Sequence, residues 1–351
     1  MFDLERSLRF ALWLIPGLSA RSISRAAESF GSLTSALQAP RSELIAAMAV
    51  APRYQALLLS LSTAALLSQA NNEIRKLSLL RGHVLLRGDP AYPASLSALR
   101  DPPEALFIRG SLGSFRRIAI VGARQADAEG RRLAKRMGAA VAQAGYSVVS
   151  GGARGIAAAA HEGAVLTGGH TVVVLPGGVA KPYPAMNRRL FAQVLEAGGA
   201  LVSEVPCEKS VRPEDFPRRN RILAALAEKL VVVRAAEGSG SLLTAAEMQR
   251  LARPVFAVSA TELGQITYGC AKLLSQGATA IRNEMDLLSS LAPTGKDERG
   301  RVLALLSLPS RSLLELAEET GLSVSVVAQH VSDLCRQNLA RAVKPGKFAR
   351  A

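Results

Sequence analysis

The chain has 351 residues, 49% of them hydrophobic, and a formal net charge of +15 at pH 7. This length allows two or three domains with packed cores, and the positive charge favours a polyanionic partner, either nucleic acid or an anionic membrane surface. No apolar run approaches the roughly 20 residues that span a bilayer, and the three scattered cysteines exclude a disulfide framework or a cysteine metal site. Because the N-terminus also lacks a signal-peptide pattern, we expect a cytoplasmic protein with reduced thiols.

Residues 1–80 predict a helical domain, because they are rich in Leu, Ala and Ser. The segment Leu14–Ile23 places Pro16 and Gly17 between two helical stretches, which is typical of a helix-hairpin-helix. The backbone N–H groups of such a turn can hold one DNA phosphate without reading bases. An ordinary αα-hairpin uses glycine in the same way, and the pattern leaves both alternatives open. Residues 83–110 carry turn signals and predict a connector.

Residues 81–290 contain short β-branched runs, most of which end near glycine and precede a helical pattern. The predicted strands cover 118–121, 146–149, 171–175, 200–203, 230–233 and 254–258. The predicted helices cover 126–144, 157–166, 187–197, 221–227 and 242–251. Strands and helices that alternate at this pace indicate an α/β fold with a Rossmann-like, mainly parallel sheet covered on both faces.

Glycine-rich turns follow several of these strands and place arginines beside them. Gly122 and Arg124 follow the first strand, and the segment 150–155, which contains Arg154, follows the second. Ligands of such sheets bind beyond the carboxyl ends of the strands, where backbone N–H groups at helix N-termini favour anions. The sequence therefore predicts a phosphate-binding crevice at this edge of the core.

The last part of the chain predicts a polar linker over 291–300 and a winged-helix domain over 301–351. Its predicted helices cover 312–320 and 323–337, and a strand covers 339–343. The second helix of such a module usually faces a DNA groove, although many winged helices bind proteins, and both alternatives stay open. The C-terminal end is basic and holds no acid, which is an electrostatic footprint for nucleic acid. Its basic residues are Arg336, Arg341, Lys344, Lys347 and Arg350.

Three short segments carry a resemblance to a known family. They are Tyr183–Asn187, Phe216–Arg221 and Gly238–Ser241, and their combination in one α/β core resembles the DNA-processing protein A (DprA/Smf) family. The resemblance runs through nearly the whole chain. It implies a cytoplasmic, non-enzymatic protein without cofactor, metal or membrane partner. It further implies that the protein binds and protects incoming single-stranded DNA, helps to load a RecA-type recombinase during natural transformation, and forms a homodimer through its α/β domain.

The candidate DNA-binding residues lie in the glycine-rich turns and in these segments. A single strand needs a basic groove for its backbone, and arginine suits phosphate through its planar fork. On a helix, Arg218 and Arg221 share a face and Arg219 points elsewhere, so we expect one of the three to be structural. Ser239 and Ser241 can cap the next helix. The set is Gly122, Arg124, Gly151, Gly152, Arg154, Asn187, Arg188, Arg189, Arg218, Arg219, Asn220, Arg221, Ser239, Gly240 and Ser241.

The chain departs from the usual family pattern at several positions, which puts the detailed pocket chemistry in doubt more than the fold. Ala157 stands where an acid is common, Ser259-Ala260 where Pro-Gly is usual, and Ala271 where Asn is usual. The third turn reads Pro-Gly-Gly rather than Gly-x-Gly.

Two other classes of function remain open. The Pro176–Gly178 turn is similar to one in phosphoribohydrolases of nucleoside monophosphates, but the Gly-Thr and catalytic Glu of those enzymes do not follow it. A protein-interacting scaffold would show no salt-dependent DNA binding. His161 lacks a nearby nucleophile or base partner and is predicted to be structural. Glu204 and Glu237 can either accept from a nucleotide or order the arginines.

Overall fold

The computed structural model of the chain describes residues 3–60, 62–259, 268–291, 298–306 and 310–351. They form two compact units, the first ending at Ile281 and the second beginning at Arg282. In the predicted linker over 291–300, Leu291 ends one helix and Glu298 begins another. Residues 292–297 lie outside the described residues, and so does Ala260 of the Ser259-Ala260 pair. The three-domain division stays a prediction. None of the described helices is long and apolar enough to cross a membrane.

A bundle of helices opens the first unit and covers one face of the sheet that follows. The first two helices form the predicted hairpin, but the ring of Tyr54 lies against Gly17 in its turn, 2.1 Å from where a Cβ would stand. The indole N–H of Trp13 donates to the backbone oxygen of Glu204 at 3.0 Å, which ties the bundle to the core. The helices are α1 (Leu4–Trp13), α2 (Ala20–Phe30), α3 (Leu33–Gln38), α4 (Arg41–Met48), α5 (Pro52–Ser60) and α6 (Thr63–Leu79).

The described strands of the first unit form one nine-stranded sheet with the order β1-β2-β6-β5-β4-β3-β7-β8-β9. They are β1 (Gly82–Leu86), β2 (Ala105–Gly110), β3 (Arg117–Val121), β4 (Ser147–Ser150), β5 (Thr171–Val174), β6 (Ala200–Ser203), β7 (Lys229–Val232), β8 (Val255–Val258) and β9 (Thr279–Ile281). Strands β3 to β9 are parallel to one another in the sheet. Strands β1 and β2 add an antiparallel edge beside β6. The predicted α/β fold with a mainly parallel sheet is confirmed.

The connector predicted for 83–110 is wrong, because this segment contains β1 and β2. The turn signals that suggested it lie between the two strands, around Asp89-Pro90 and Asp101-Pro102, rather than inside them. The apolar run Ala105–Ile108 is fully buried. A short apolar run next to such strong turn signals gives little periodicity from which to predict a strand.

Helices cover both faces of this sheet, and successive residues of a strand face opposite cores, as the pleat requires. Val173 packs in the core with the N-terminal bundle, and its neighbours Val172 and Val174 pack in the other core. The helix that was predicted to begin at residue 221 begins at Asp215 instead. The helices are α7 (Ala128–Gln143), α8 (Ile156–Leu166), α9 (Arg188–Glu196), α10 (Asp215–Leu226), α11 (Gly240–Arg250) and α12 (Tyr268–Ser275).

The second unit has the winged-helix arrangement. Its short sheet has the order β10-β12-β11 and is antiparallel, and its core contains Val302, Leu316 and Val331. Strands β10 and β12 were not predicted from the sequence, because they are short and half-exposed. The elements are α13 (Glu284–Leu291), α14 (Glu298–Leu305), β10 (Arg311–Ser312), α15 (Leu313–Thr320), α16 (Val324–Arg336), β11 (Ala340–Lys344) and β12 (Lys347–Arg350).

His161 is a buried residue of α8 whose contacts fit the predicted structural role. The Thr171 hydroxyl donates to the carbonyl of Val148 at 2.9 Å, so it accepts from Nδ1 of His161 at 2.7 Å. Nε2 is buried without a partner among the described residues. Burial, and then the charge of Arg219, lower the pKa of His161 to about 3, and the ring is therefore neutral in the folded protein.

We expect His161 to make the free energy of unfolding fall as the pH drops below 6.5, its ordinary pKa. The unfolded chain takes up a proton there, whereas the folded chain does so only near pH 3, and each pH unit between corresponds to about 1.4 kcal/mol. His161→Asn keeps a donor near Nδ1 and should flatten this slope in urea denaturation between neutral pH and pH 4.5. An equal slope in wild type and variant would assign the pH dependence to other groups.

Candidate functional site

A cavity of about 250 Å³ lies at the carboxyl ends of the central strands. The chain runs from β3 outward to β6 on one side and then returns to β7 on the other side of β3, and a sheet opens a crevice at such a switch point. The lining holds two arginines and, among the described residues, no Asp or Glu. Eight predicted site residues meet here: Gly122, Arg124, Gly151, Arg219, Asn220, Ser239, Gly240 and Ser241.

Arg219 forms the base of this cavity and is only 7% exposed. Its Nη1 donates to the carbonyls of Gly151 at 2.8 Å and Val174 at 2.6 Å, and its Nε donates to Oδ1 of Asn220 at 3.1 Å. No described carboxylate pairs with it. Burial lowers the pKa of Arg219 to about 10, so it remains a cation at neutral pH. The base of the cavity is thus positive and has no counter-charge.

Glycine at position 151 is required by this arrangement. A Cβ there would stand 2.0 Å from Nη1 of Arg219, far inside contact distance. The glycine therefore lets the guanidinium approach the end of β4 closely enough to bond its carbonyl.

The first turn of α11 reaches the cavity from the opposite wall. Nδ2 of Asn220 donates to the carbonyl of Gly240 at 3.2 Å, which joins α10 to α11. The predicted capping is wrong: Ser239 stands at the N-cap without a side-chain cap bond, because its hydroxyl bonds that of Ser241 at 2.7 Å. The uncapped N-terminus adds the positive end of a helix dipole to the cavity wall.

The mouth of the cavity combines a cation with two aromatic rings. The guanidinium of Arg124 lies over the ring of Phe216, 4.7 Å from its centroid, and the ring of Tyr183 contacts Phe216 edge-on at 6.1 Å. Arg124 is exposed, and no described carboxylate pairs with it. Neither ring is among the candidate residues predicted from the sequence, although each stands beside a proline in the segments that carry the family resemblance.

The backbone of Arg124 is set by the neighbouring turn. Gly155 has a φ of +75°, and a Cβ there would stand 2.4 Å from the oxygen of Ala123 and 2.7 Å from that of Arg124. The turns after β3 and β4 therefore touch through their backbones. Arg124 and Arg154 consequently line the same recess as Tyr183 and Phe216.

Two larger basic clefts flank this mouth. One, of about 850 Å³, lies along α7 and α8 and adds Arg131, Arg132 and Lys135 to Arg124 and Arg154. These α7 residues were not predicted from the sequence, although they form an exposed basic stripe beside the first glycine-rich turn. The other cleft, of about 910 Å³, lies beyond Tyr183 and contains the predicted Arg188 with Arg109, Lys181 and Arg212.

Several predicted residues are held by the protein itself. Arg218 and Arg221 share a face, as predicted, and both reach the buried carboxylate of Glu204. Nη1 of Arg221 also donates to the carbonyl of Asp101 at 2.5 Å. Glu204 thus orders arginines, which decides between its two predicted roles; burial raises its pKa and the two arginines oppose that rise. Two of the three arginines, Arg219 and Arg221, thus have mainly structural contacts, where only one was expected.

The remaining predicted residues are Asn187, Gly152 and Arg189. Nδ2 of Asn187 donates to the carbonyl of Gly152 at 2.8 Å and thereby holds the turn after β4. Gly152 packs under Val173 and Phe191. Arg189 is exposed on α9 and lies outside these cavities. A direct contact of any of these residues with DNA stays a prediction.

The family model described as DNA recombination-mediator protein A matches residues 83–292 of this chain. The chain belongs to this family. Protein Smf of Synechocystis is 34% identical over 224 residues, which cover 62% of this chain and 56% of that protein. DNA processing protein DprA of Bacillus subtilis is 36% identical over 203 residues, which cover 57% of this chain and 68% of that protein. The match thus spans little more than half of the Synechocystis relative.

Two solved structures of DNA processing protein A also resemble this chain. The protein from Streptococcus pneumoniae is 26% identical with a TM-score of 0.65, over 82% of this chain and 98% of that one. The protein from Helicobacter pylori, whose structure concerns a single-stranded DNA binding mode, is 26% identical with a TM-score of 0.54, over 60% of this chain and 95% of that one. The family resemblance inferred from the three sequence segments is therefore confirmed.

Neighbouring arginines of α10 offer a test of the cavity base. Arg219→Ala should lower the free energy of unfolding by about 1–3 kcal/mol, because it leaves the buried carbonyls of Gly151 and Val174 without a donor. Arg218→Ala removes a half-exposed side chain and the longer of the two ion pairs of Glu204, which stays bonded to Arg221. It should therefore change the free energy of unfolding by less than about 0.5 kcal/mol. Chemical denaturation of both variants measures the difference. Equal effects would contradict the structural assignment of Arg219.

Proposed function

We propose that this protein binds single-stranded DNA at the crevice and acts as a recombination mediator that helps to load a RecA-type recombinase. The observation that carries the proposal is the cavity whose base is a buried cation without a counter-charge and whose mouth is an arginine stacked on an aromatic ring. Single-strand binders combine a basic path for the backbone with aromatic faces for unstacked bases. A flexible strand can turn one nucleotide into a cavity of about 250 Å³, whereas a stacked duplex cannot.

The similarity to known proteins supports the general function but not its details. The family is described as a recombination mediator, and the relative from Helicobacter pylori is described as binding single-stranded DNA. We carry these properties over to this chain as proposals. The same holds for protection of incoming DNA in natural transformation, for a homodimer, for a cytoplasmic location and for the absence of enzymatic activity.

The phosphoribohydrolase alternative finds no support at the cavity. Gly177 and Gly178 of the similar turn pack against the backbone of Lys209 and Cys207, so this turn serves packing. Among the described residues that line the cavity there is no carboxylate to act as nucleophile or general acid.

We expect Arg124→Ala to weaken single-strand binding most and Arg188→Ala to come next. A lost charge-assisted phosphate contact costs roughly 1.5–3 kcal/mol, and each lost contact should lower the salt slope by about 0.7. Fluorescence anisotropy with a labelled single-stranded oligonucleotide at several salt concentrations measures both quantities. Arg250→Ala is the control, since this arginine pairs with Glu247 at the opposite end of α11.

Wild type should bind the single strand more tightly than a duplex of the same sequence, with an affinity that falls steeply as salt rises. An affinity that does not change with salt would contradict the proposed binding at the crevice. A folded Arg124→Ala variant that binds as tightly as wild type would contradict it as well.

The loading role needs a separate measurement. We expect the protein to accelerate the assembly of RecA-type filaments on DNA that is already covered by single-strand-binding protein, and Arg124→Ala to lose most of this acceleration. Fluorescence of a labelled recombinase follows the assembly. If wild type binds single strands but gives no acceleration, the chain is a DNA binder without the loading function.

A further inference from the structure

The winged-helix unit separates its charges onto different elements. Helix α15 carries the carboxylates of Glu315, Glu318 and Glu319, two of them exposed. The hairpin formed by β11 and β12, which we call the wing (residues 340–350), has no carboxylate and exposes Arg341, Lys344 and Lys347. The unit therefore has an acidic helix and a basic wing.

The usual docking of a helix-turn-helix on DNA fits this charge pattern poorly. In that docking the N-terminal residues of the second helix contact base edges, and the preceding helix crosses the phosphate backbone. The second helix here is α16, whose exposed N-terminal residues Val324, Ser325 and Gln329 carry no charge. Its Arg336 pairs with Asp333 at 2.6 Å. The preceding helix is α15, which would bring the exposed carboxylate of Glu318 towards the phosphates, beside Glu319, whose carboxylate pairs with Arg311.

The wing has the opposite character. Lys344 and Lys347 are directly opposite each other in the strand pairing, on either side of Pro345-Gly346 at its tip. Like charges in such cross-strand positions destabilise the pair, and a bound anion relieves the repulsion. Lys347 reaches a carboxylate only at 4.0 Å, that of Glu315. No described carboxylate pairs with Arg341 or Lys344.

We propose that the second unit binds duplex DNA through the wing, with Lys344 and Lys347 on phosphates and α16 outside the major groove. A two-stranded β-ribbon fits a DNA groove, and phosphate contacts of this kind are independent of base sequence. The wing offers no exposed aromatic ring for unstacked bases, because its Phe348 packs against the core of the unit. Single-strand binding uses such rings, so the wing favours duplex. This contact is independent of the function proposed for the crevice.

The test uses the full-length protein and two double variants that change the net charge equally. Lys344→Gln with Lys347→Gln removes two charges from the wing, and Ser325→Glu with Gln329→Glu adds two negative charges to α16. Binding of a labelled blunt-ended duplex is measured by anisotropy over a range of salt. Excess unlabelled single-stranded oligonucleotide is present to occupy the crevice. Circular dichroism verifies that both variants fold.

We expect the wing variant to lose duplex affinity at least several-fold and to lower the salt slope by about 2, one for each phosphate contact. The α16 variant should stay within about twofold of wild type if the helix lies outside the groove, and both variants should bind single strands as wild type does. A larger loss in the α16 variant would show docking by the helix and overturn the proposal. Unchanged duplex binding in the wing variant, or no duplex binding by wild type, would also overturn it. Because single-strand affinity is measured separately with Arg124→Ala, a failure at the crevice is recognised as such.

Discussion

The guanidinium of Arg219 is buried at the carboxyl edge of the sheet and is held by backbone carbonyls instead of by a carboxylate. Burying an unpaired cation is costly, and here the carbonyls of Gly151 and Val174, at or next to the ends of β4 and β5, offset that cost with oriented dipoles. The same side chain bonds Asn220, which holds the first residue of α11. Arg219 and Asn220 thus join two strand ends and two helices at the crevice.

This arrangement also leaves the crevice with a surplus of positive potential. A carboxylate beside Arg219 would stabilise it more simply, but it would cancel the field that an anionic ligand meets. Ala157 lines this cavity, and its methyl side chain leaves that part of the lining without negative charge. Two buried acids at α10 are already paired: Glu204 with Arg218 and Arg221, and Asp215 with Lys209. Arg218 and Arg221 are therefore neutralised by a carboxylate, whereas the charges of Arg124 and Arg219 remain to attract an anionic ligand.

The sequence was most informative where the signal was local. β-branched runs that end in glycine predicted the parallel strands, and the turns after them predicted the crevice, because parallel strands bring their carboxyl ends to one edge. Prediction from the sequence failed for contacts between residues that are far apart in the chain. The stacking of Arg124 on Phe216 and the anchoring of Arg221 on Glu204 and Asp101 depend on the order of strands in the sheet. Helical spacing could separate Arg219 from its neighbours, but it could not tell which side was buried.

The two basic regions differ in how water and salt act on them, and the chain's net charge of +15 says nothing of this difference. Arg219 lies in a low-dielectric environment, where its field is little screened and its position is fixed before a ligand arrives. Lys344 and Lys347 are exposed, so ions screen them within a distance of about 8–10 Å. A ligand that enters the crevice must leave water and adopt a fixed geometry, whereas one on the wing keeps most of its hydration. On the two proposals, the crevice would select the form of a nucleic acid, and the wing would add affinity without selecting a sequence.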